Sequence, residues 1–282
     1  MISKRLLALA GLSLTCGLAA AQTQAPSDAA GTAAAPASPH TVTANVSLVS
    51  DYRFRGISQS WGLPAVQGGV DYTHASGLYL GNWNSSVSSN SYNNGASLEV
   101  DLYGGYRFEP LKDLAADVGV LGYLYPGASL NSAPASPTGN KYGNTELYFG
   151  LTRGPFGAKL SYAVTDYFGL NGATAGYAYF NALPARGSSR GSAYLDLNYG
   201  FELGNQLTLG LHLGHTGVRR YSELSYTDYK VSLGKEWVGL NFSAAVVGTN
   251  ANDKFYQAGN SAGLNPKRLG KSSVVLSVSK SF

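Results

Sequence analysis

From about residue 41 to the end, the sequence alternates. In 97–108, SLEVDLYGGYRF, residues Leu98, Val100, Leu102, Tyr106 and Phe108 share one parity. Ser97, Glu99, Asp101, Tyr103 and Arg107 share the other. Successive side chains of a strand point to opposite faces, so one face of this segment suits an apolar medium and the other suits water. The pattern recurs about twelve times. The segments are 41–54, 64–74, 78–87, 97–108, 114–125, 144–152, 156–167, 192–203, 207–216, 226–234, 239–249 and 272–282. Each is near the ~9–11 residues that cross a bilayer when tilted.

The connections alternate as well. Short ones fall at 75–77, 109–113, 153–155, 203–206 and 235–238, and long ones at 56–63, 88–95, 126–143, 168–191, 217–225 and 250–271. Short turns on one rim and long loops on the other fit an antiparallel transmembrane β-barrel of about twelve strands, with turns in the periplasm and loops outside. The apolar parity then faces lipid, and Glu99 and Asp101 face a lumen. In hydrocarbon each carboxylate would cost several kcal/mol. Tyr52, Phe54, Tyr106 and Phe108 fall on the lipid parity near strand ends and read as interfacial girdle residues.

Composition agrees. The chain has 36 Gly and 20 Tyr, with 13% charged residues, against about 25% charged in an ordinary soluble domain. No segment of 41–282 approaches the ~18 consecutive apolar residues of a membrane helix. The start, MISKRLL, followed by an apolar run and Ala19-Ala20-Ala21, reads as a secretory signal peptide over 1–21. Residues 22–40 are rich in Ala and Pro and read as a flexible segment ahead of one barrel domain, 41–282. Cys16 is the one cysteine, so a cleaved chain carries no disulfide or thiolate site. Net charge is +4, and Lys4 and Arg5 leave with the signal. No basic block suggests a nucleic-acid partner.

Two stretches, SLVSDYRFRGISQS (47–60) and QGGVDYTHASGLYLGNW (67–83), resemble the TorF porin family of Gram-negative bacteria. TELYFGLTRGPFGAKLSY (145–162) and YLDLNYGFEL (194–203) fit too. The resemblance covers most of 41–282 and implies an outer-membrane pore without a cofactor. The connection 169–191 is expanded relative to it. The terminal Phe282, closing an alternating strand, resembles the end signature of outer-membrane proteins and implies recognition by the barrel-assembly machinery.

Parity places nine acidic residues in the lumen: Asp51, Asp71, Glu99, Asp101, Asp117, Glu146, Asp196, Glu202 and Asp228. Five basic residues join them: Arg53, Arg55, Arg107, Lys159 and Lys230. A constriction built from Asp51, Arg53, Arg55, Glu99, Asp101, Glu146, Asp196, Asp228 and Lys230 would prefer cations weakly; alternatively these charges pair and brace the wall. Tyr103, Tyr123, Tyr125, Tyr148 and Tyr194 form an aromatic lumen wall that either guides solutes or fills the interior. The expected function is passive passage of small hydrophilic solutes or ions across the outer membrane. A closed barrel serving as anchor or adhesin is the alternative, and an outer-membrane hydrolase a weaker one. His212 with Asp196 is the candidate dyad, against a hydrogen-bonded wall histidine. No catalytic, cofactor or metal set is assigned; His212 and His215 face opposite sides of a strand and cannot share an ion.

Overall fold

The computed structural model describes residues 38–91, 95–132, 136–176, 183–258 and 266–282. The expected signal peptide, Cys16 and residues 22–37 lie outside the described residues. The strands are β1 (His40–Val49), β2 (Arg53–Phe54), β3 (Ile57–Ser58), β4 (Ala65–His74), β5 (Leu78–Ser86), β6 (Leu98–Leu111), β7 (Leu114–Ser132) and β8 (Ser136–Arg153). They continue as β9 (Phe156–Ala163), β10 (Ala193–Gly204), β11 (Leu207–Gly217), β12 (Tyr226–Trp237), β13 (Leu240–Thr249), β14 (Gln257–Ala258), β15 (Lys267–Arg268) and β16 (Ser273–Ser281).

Twelve of these close a barrel in the order β1-β16-β13-β12-β11-β10-β9-β8-β7-β6-β5-β4. The pairs are antiparallel neighbours in sequence, apart from the closure of β1 on β16 and the small inserts. At the seam Phe282 N–H donates to Ala44 O at 2.8 Å, and Ala44 N–H returns to Phe282 O at 3.1 Å. Closure leaves no unpaired edge, the condition for a sheet in hydrocarbon.

Alternation sorts the side chains as its period requires. Val42, Val70, Leu80, Leu102, Val120, Leu160, Leu195, Val231 and Leu276 stand exposed on the outside. Around the short-turn rim, outward aromatics gather in pairs: Tyr106 with Phe108 at 5.8 Å, Tyr199 with Phe201 at 4.5 Å, and Trp237 with Phe242 at 6.1 Å between centroids. Rings at a rim suit the interface between lipid and water.

The Gly and Tyr content has a structural reason. Inward tyrosines lie flat over glycines of neighbouring strands. A Cβ on Gly81 would stand 2.3 Å from the Tyr103 ring, and one on Gly214 would stand 2.1 Å from the Tyr194 hydroxyl. Gly105 under Tyr79 and Gly119 under Tyr148 repeat the arrangement. A side chain at these glycines would displace a ring, so the two residue types act as one interlock across the pleat.

Three expectations need correction. The first strand ends at Val49, not at residue 54, because the chain turns into the barrel. Tyr52 and Phe54 are therefore buried in the lumen and are not girdle residues. Residues 126–143 do not form a loop throughout; β7 and β8 run on as a paired extension, with Ser132 opposite Ser136. The strand expected over 156–167 stops at Ala163, and Tyr167–Gly169 form a 3-10 turn.

Candidate functional site: an inward hairpin and the cavity beside it

The connection between β1 and β4 crosses the lumen. Its core is the two-residue-per-strand hairpin β2–β3, with Arg53 opposite Ser58 and Phe54 opposite Ile57. The turn is Arg55-Gly56, with φ of 46° and 80°. Positive φ at both central positions is the geometry of a tight hairpin turn. Gly56 is needed twice over. Its φ favours glycine, and a Cβ there would lie 2.3 Å from Thr249 Cγ2 at the end of β13.

Asp51 organises the base of the hairpin. Its carboxylate takes Arg53 Nε at 2.6 Å, Ser58 Oγ at 2.6 Å and Ser60 Oγ at 3.1 Å. The Arg53 guanidinium then donates to the carbonyls of Gly56, Leu269 and Lys271, and to Ser273 Oγ, all within 3.0 Å. This ties the hairpin to the last loop and to β16. At the tip, Arg55 Nη2 donates to both oxygens of Glu146 on β8, at 2.9 and 2.7 Å. Its guanidinium carbon sits 4.1 Å from the Tyr194 ring centre. A planar cation stacked on a ring and paired with a carboxylate suits Arg and not Lys.

Aromatic side chains seal one side. Phe54 meets Tyr123 at 5.2 Å and Phe168 at 5.7 Å; Tyr125 meets Tyr142 at 4.8 Å; Tyr52 meets Trp83 at 5.4 Å. Phe168 enters from the connection between β9 and β10 with φ of 47°. A non-glycine residue there is strained unless its surroundings hold it, and the ring cluster does so.

These contacts decide where the expected lumen residues lie. Glu99 and Asp101 do point inward, but they are sealed behind this cluster, 0% and 3% exposed. Glu99 accepts from the Tyr52 hydroxyl at 2.6 Å and the Tyr125 hydroxyl at 2.7 Å. Asp101 Oδ1 is buried and has no hydrogen-bond partner among the described residues. Glu146 is held by Arg55 and by Asn144 Nδ2 at 2.9 Å. Asp196 and Asp228 grip His212 from both sides, at 3.0 Å on Nδ1 and 2.8 Å on Nε2. Tyr103 donates to Asp71 at 2.6 Å, Tyr148 pairs with Tyr79, and Tyr194 reaches Asp228 at 3.2 Å. All five expected wall tyrosines point inward. Tyr123, Tyr125 and Tyr194 are buried, and Tyr103 and Tyr148 are half-buried.

The His212 geometry bears on hydrolysis. A general base needs a free ring nitrogen aimed at a nucleophile. Here both ring nitrogens face carboxylates, so the ring braces β10, β11 and β12. Among the described residues, no group of three His, Cys, Asp or Glu is placed to hold a metal ion.

On the other side of the hairpin a cavity of about 220 Å³ remains. Its wall is built from small side chains of β12, β13 and β16, among them Ser232, Ser243, Ala245 and Ser277. The charged residues around it are Asp51, Arg53, Arg55, Lys159, Asp228 and Lys230. Lys159 was absent from the constriction expected from the sequence, although its parity pointed inward. No sequence signal told which inward residues the hairpin would cover.

Residues 33–282 match the family model Gcw_chp, described as a bacterial protein of unknown function. No curated protein matches the chain. Among solved structures, a KdgM porin in complex with disordered oligogalacturonate is 10% identical, covering 86% of this chain and 98% of that one, with a TM-score of 0.45. The NanC porin is 9% identical over 85% of this chain and 98% of its own, also at 0.45. OccK5 (OpdH) of Pseudomonas aeruginosa is 15% identical over 86% and 67%, at 0.38.

Proposed function

The chain belongs to the Gcw_chp family of bacterial proteins of unknown function, and we propose that it is an outer-membrane channel passing small hydrophilic solutes or ions by diffusion. One observation carries this reading: a closed barrel with an apolar exterior keeps a cavity inside, beside the hairpin, bordered by charged and serine side chains. The outward band has no role in water but suits lipid. The signal peptide expected over 1–21 supports export, and Phe282 at the seam supports recognition by the barrel-assembly machinery. Twelve strands enclose a lumen narrower than that of the sixteen-stranded porins, and the hairpin narrows it further.

The sum of lumen-parity charges favours weak cation preference. The charges that border the cavity have the opposite balance, and those are what an ion meets. A second reading, a closed barrel serving as an anchor, is favoured by the hairpin itself, since it spans the lumen and is bonded on two walls.

The test is single-channel recording of refolded protein in a planar bilayer. Discrete steps are expected, small for a barrel of this girth. A folded, heat-modifiable barrel that gives no steps would favour the anchor.

A further inference from the structure

The hairpin divides the lumen charges into two groups. Glu99, Asp101, Glu146 and Asp196 are buried away from the cavity, and none of them lines it. Of the charges that do line it, Arg53, Arg55, Lys159 and Lys230 are basic, and Asp51 and Asp228 are acidic. Both acids are buried and engaged, Asp51 by Arg53 and two serines, Asp228 by His212. Lys159 and Lys230 are half-buried, so they keep contact with water. Arg55 adds a separate observation. It lines the cavity from the hairpin tip as a buried guanidinium paired with Glu146.

The long-loop mouth has the same sign. Segments 164–192, 218–225 and 250–272 hold eight Lys or Arg against three Asp or Glu. Arg186, Arg190, Arg219 and Arg220 come together there through hydrogen bonds, with Arg219 Nη1 on the Arg190 carbonyl at 2.9 Å and Arg186 on Glu223 at 2.6 Å. Such a mouth raises the local concentration of anions. Asp71, Asp117, Glu202 and Glu236 lie beyond the cavity, toward the short-turn end, with Arg107 beside Asp117 at 3.5 Å. Selectivity is set where a pore is narrow and charges act at close range.

We propose that the cavity beside the hairpin is an anion-binding station, taking small carboxylate-bearing solutes, with Lys159 and Lys230 as its recognition groups and Arg55 adding positive charge from the hairpin tip. The solute class rests on the channel reading above; the binding site does not. A carboxylate entering from the long-loop side would meet the two ammonium groups, with the Arg55 guanidinium, held by Glu146, adding its charge from the hairpin tip. The serine wall of β13 and β16 would supply neutral hydrogen bonds along the same path.

The test uses the refolded chain in a phosphatidylcholine bilayer, which offers no anionic lipid. In a potassium chloride gradient the reversal potential is expected to lean toward chloride. Malonate is expected to reduce the chloride current, while malonamide, of similar size and uncharged, should not. Substituting Lys159→Gln together with Lys230→Gln should move the reversal potential toward zero and weaken malonate block several-fold. Glu99→Gln, sealed from the cavity, should leave both unmoved. A cation-leaning potential in the wild type, or block unaffected by the double substitution, overturns the proposal. If no channel steps occur, calorimetric titration of malonate into the protein in neutral detergent decides the site. Binding that the two lysine substitutions weaken keeps the station and removes the channel; no binding removes the station.

Discussion

Excising the hairpin is expected to raise single-channel conductance several-fold. The variant replaces residues 51–62 with a short Gly-Asn-Gly link between β1 and β4 and carries Glu146→Gln, so that no buried carboxylate is left without its cation. The physical reason is cross-section. The hairpin starts at the β1 wall, and its tip reaches Glu146 on β8, Tyr194 on β10 and Thr249 on β13. It thus fills the middle of the barrel, and Phe54 is the ring on which Phe168 and Tyr123 converge. The wall does not depend on it, since β1 pairs with β4 over ten positions from His40 to Val49 without help from residues 50–64. The barrel should therefore still fold and shift on heating in gels. Unchanged conductance in a correctly folded variant would mean that the hairpin does not obstruct the path, and the anchor reading would lose its main support.

Removing one partner at the hairpin tip is expected to be the most damaging single change. Arg55→Ala strips Glu146 of its bidentate cation in a place where both side chains are almost fully buried. A buried ion pair broken on one side costs about 3–5 kcal/mol, because the remaining charge is neither hydrated nor paired. The double variant Arg55→Ala, Glu146→Gln should recover most of that loss, since a neutral amide can still accept from Asn144 and needs no cation. Arg55→Lys should recover little: an ammonium cannot hold both oxygens of Glu146 while stacking on Tyr194. Urea unfolding of the protein in lipid vesicles, followed by tryptophan fluorescence, reads all three; Trp83 lies among the hairpin's contacts. Equal stability of the single and double variants would show that the pair is not coupled, and that the latch lies elsewhere in the hairpin.

The wall of this protein was legible and its contents were not. Period-two alternation placed all twelve barrel strands, because a strand with lipid on one face and a lumen on the other leaves no freedom in which residues go where. Alternation also continued through Val49, Asp51 and Arg53, and there it misled. Tyr52 and Phe54 keep the lipid parity of a strand that has already ended, and nothing in YRF differs from the rim of a barrel. The one local signal was Gly56, which permits a reversal without announcing its direction. The stretch that carried the family resemblance, SLVSDYRFRGISQS, is the hairpin and its approach. Its distinctive chemistry therefore belongs to the obstruction and not to the wall. The acidic residues teach the same lesson. Parity gave Glu99 and Asp101 their inward direction but could not say that Tyr52 and Tyr125 would cap one of them. Exposure within a lumen depends on what else enters it, and entry is a long-range property of loops.

The charge division along the axis has an electrical consequence. Basic side chains crowd the long-loop mouth and the cavity, whereas Asp71, Asp117, Glu202 and Glu236 face inward toward the short-turn end, against Arg107 beside Asp117. Two fixed charges of opposite sign in series behave as a junction: one voltage polarity fills the narrow region with mobile ions and the other empties it. A pore charged in this way would act as an ionic diode, most strongly at low salt, where screening is weak. Its current–voltage curve would bend, and the sense of the bend would report which way each molecule had inserted.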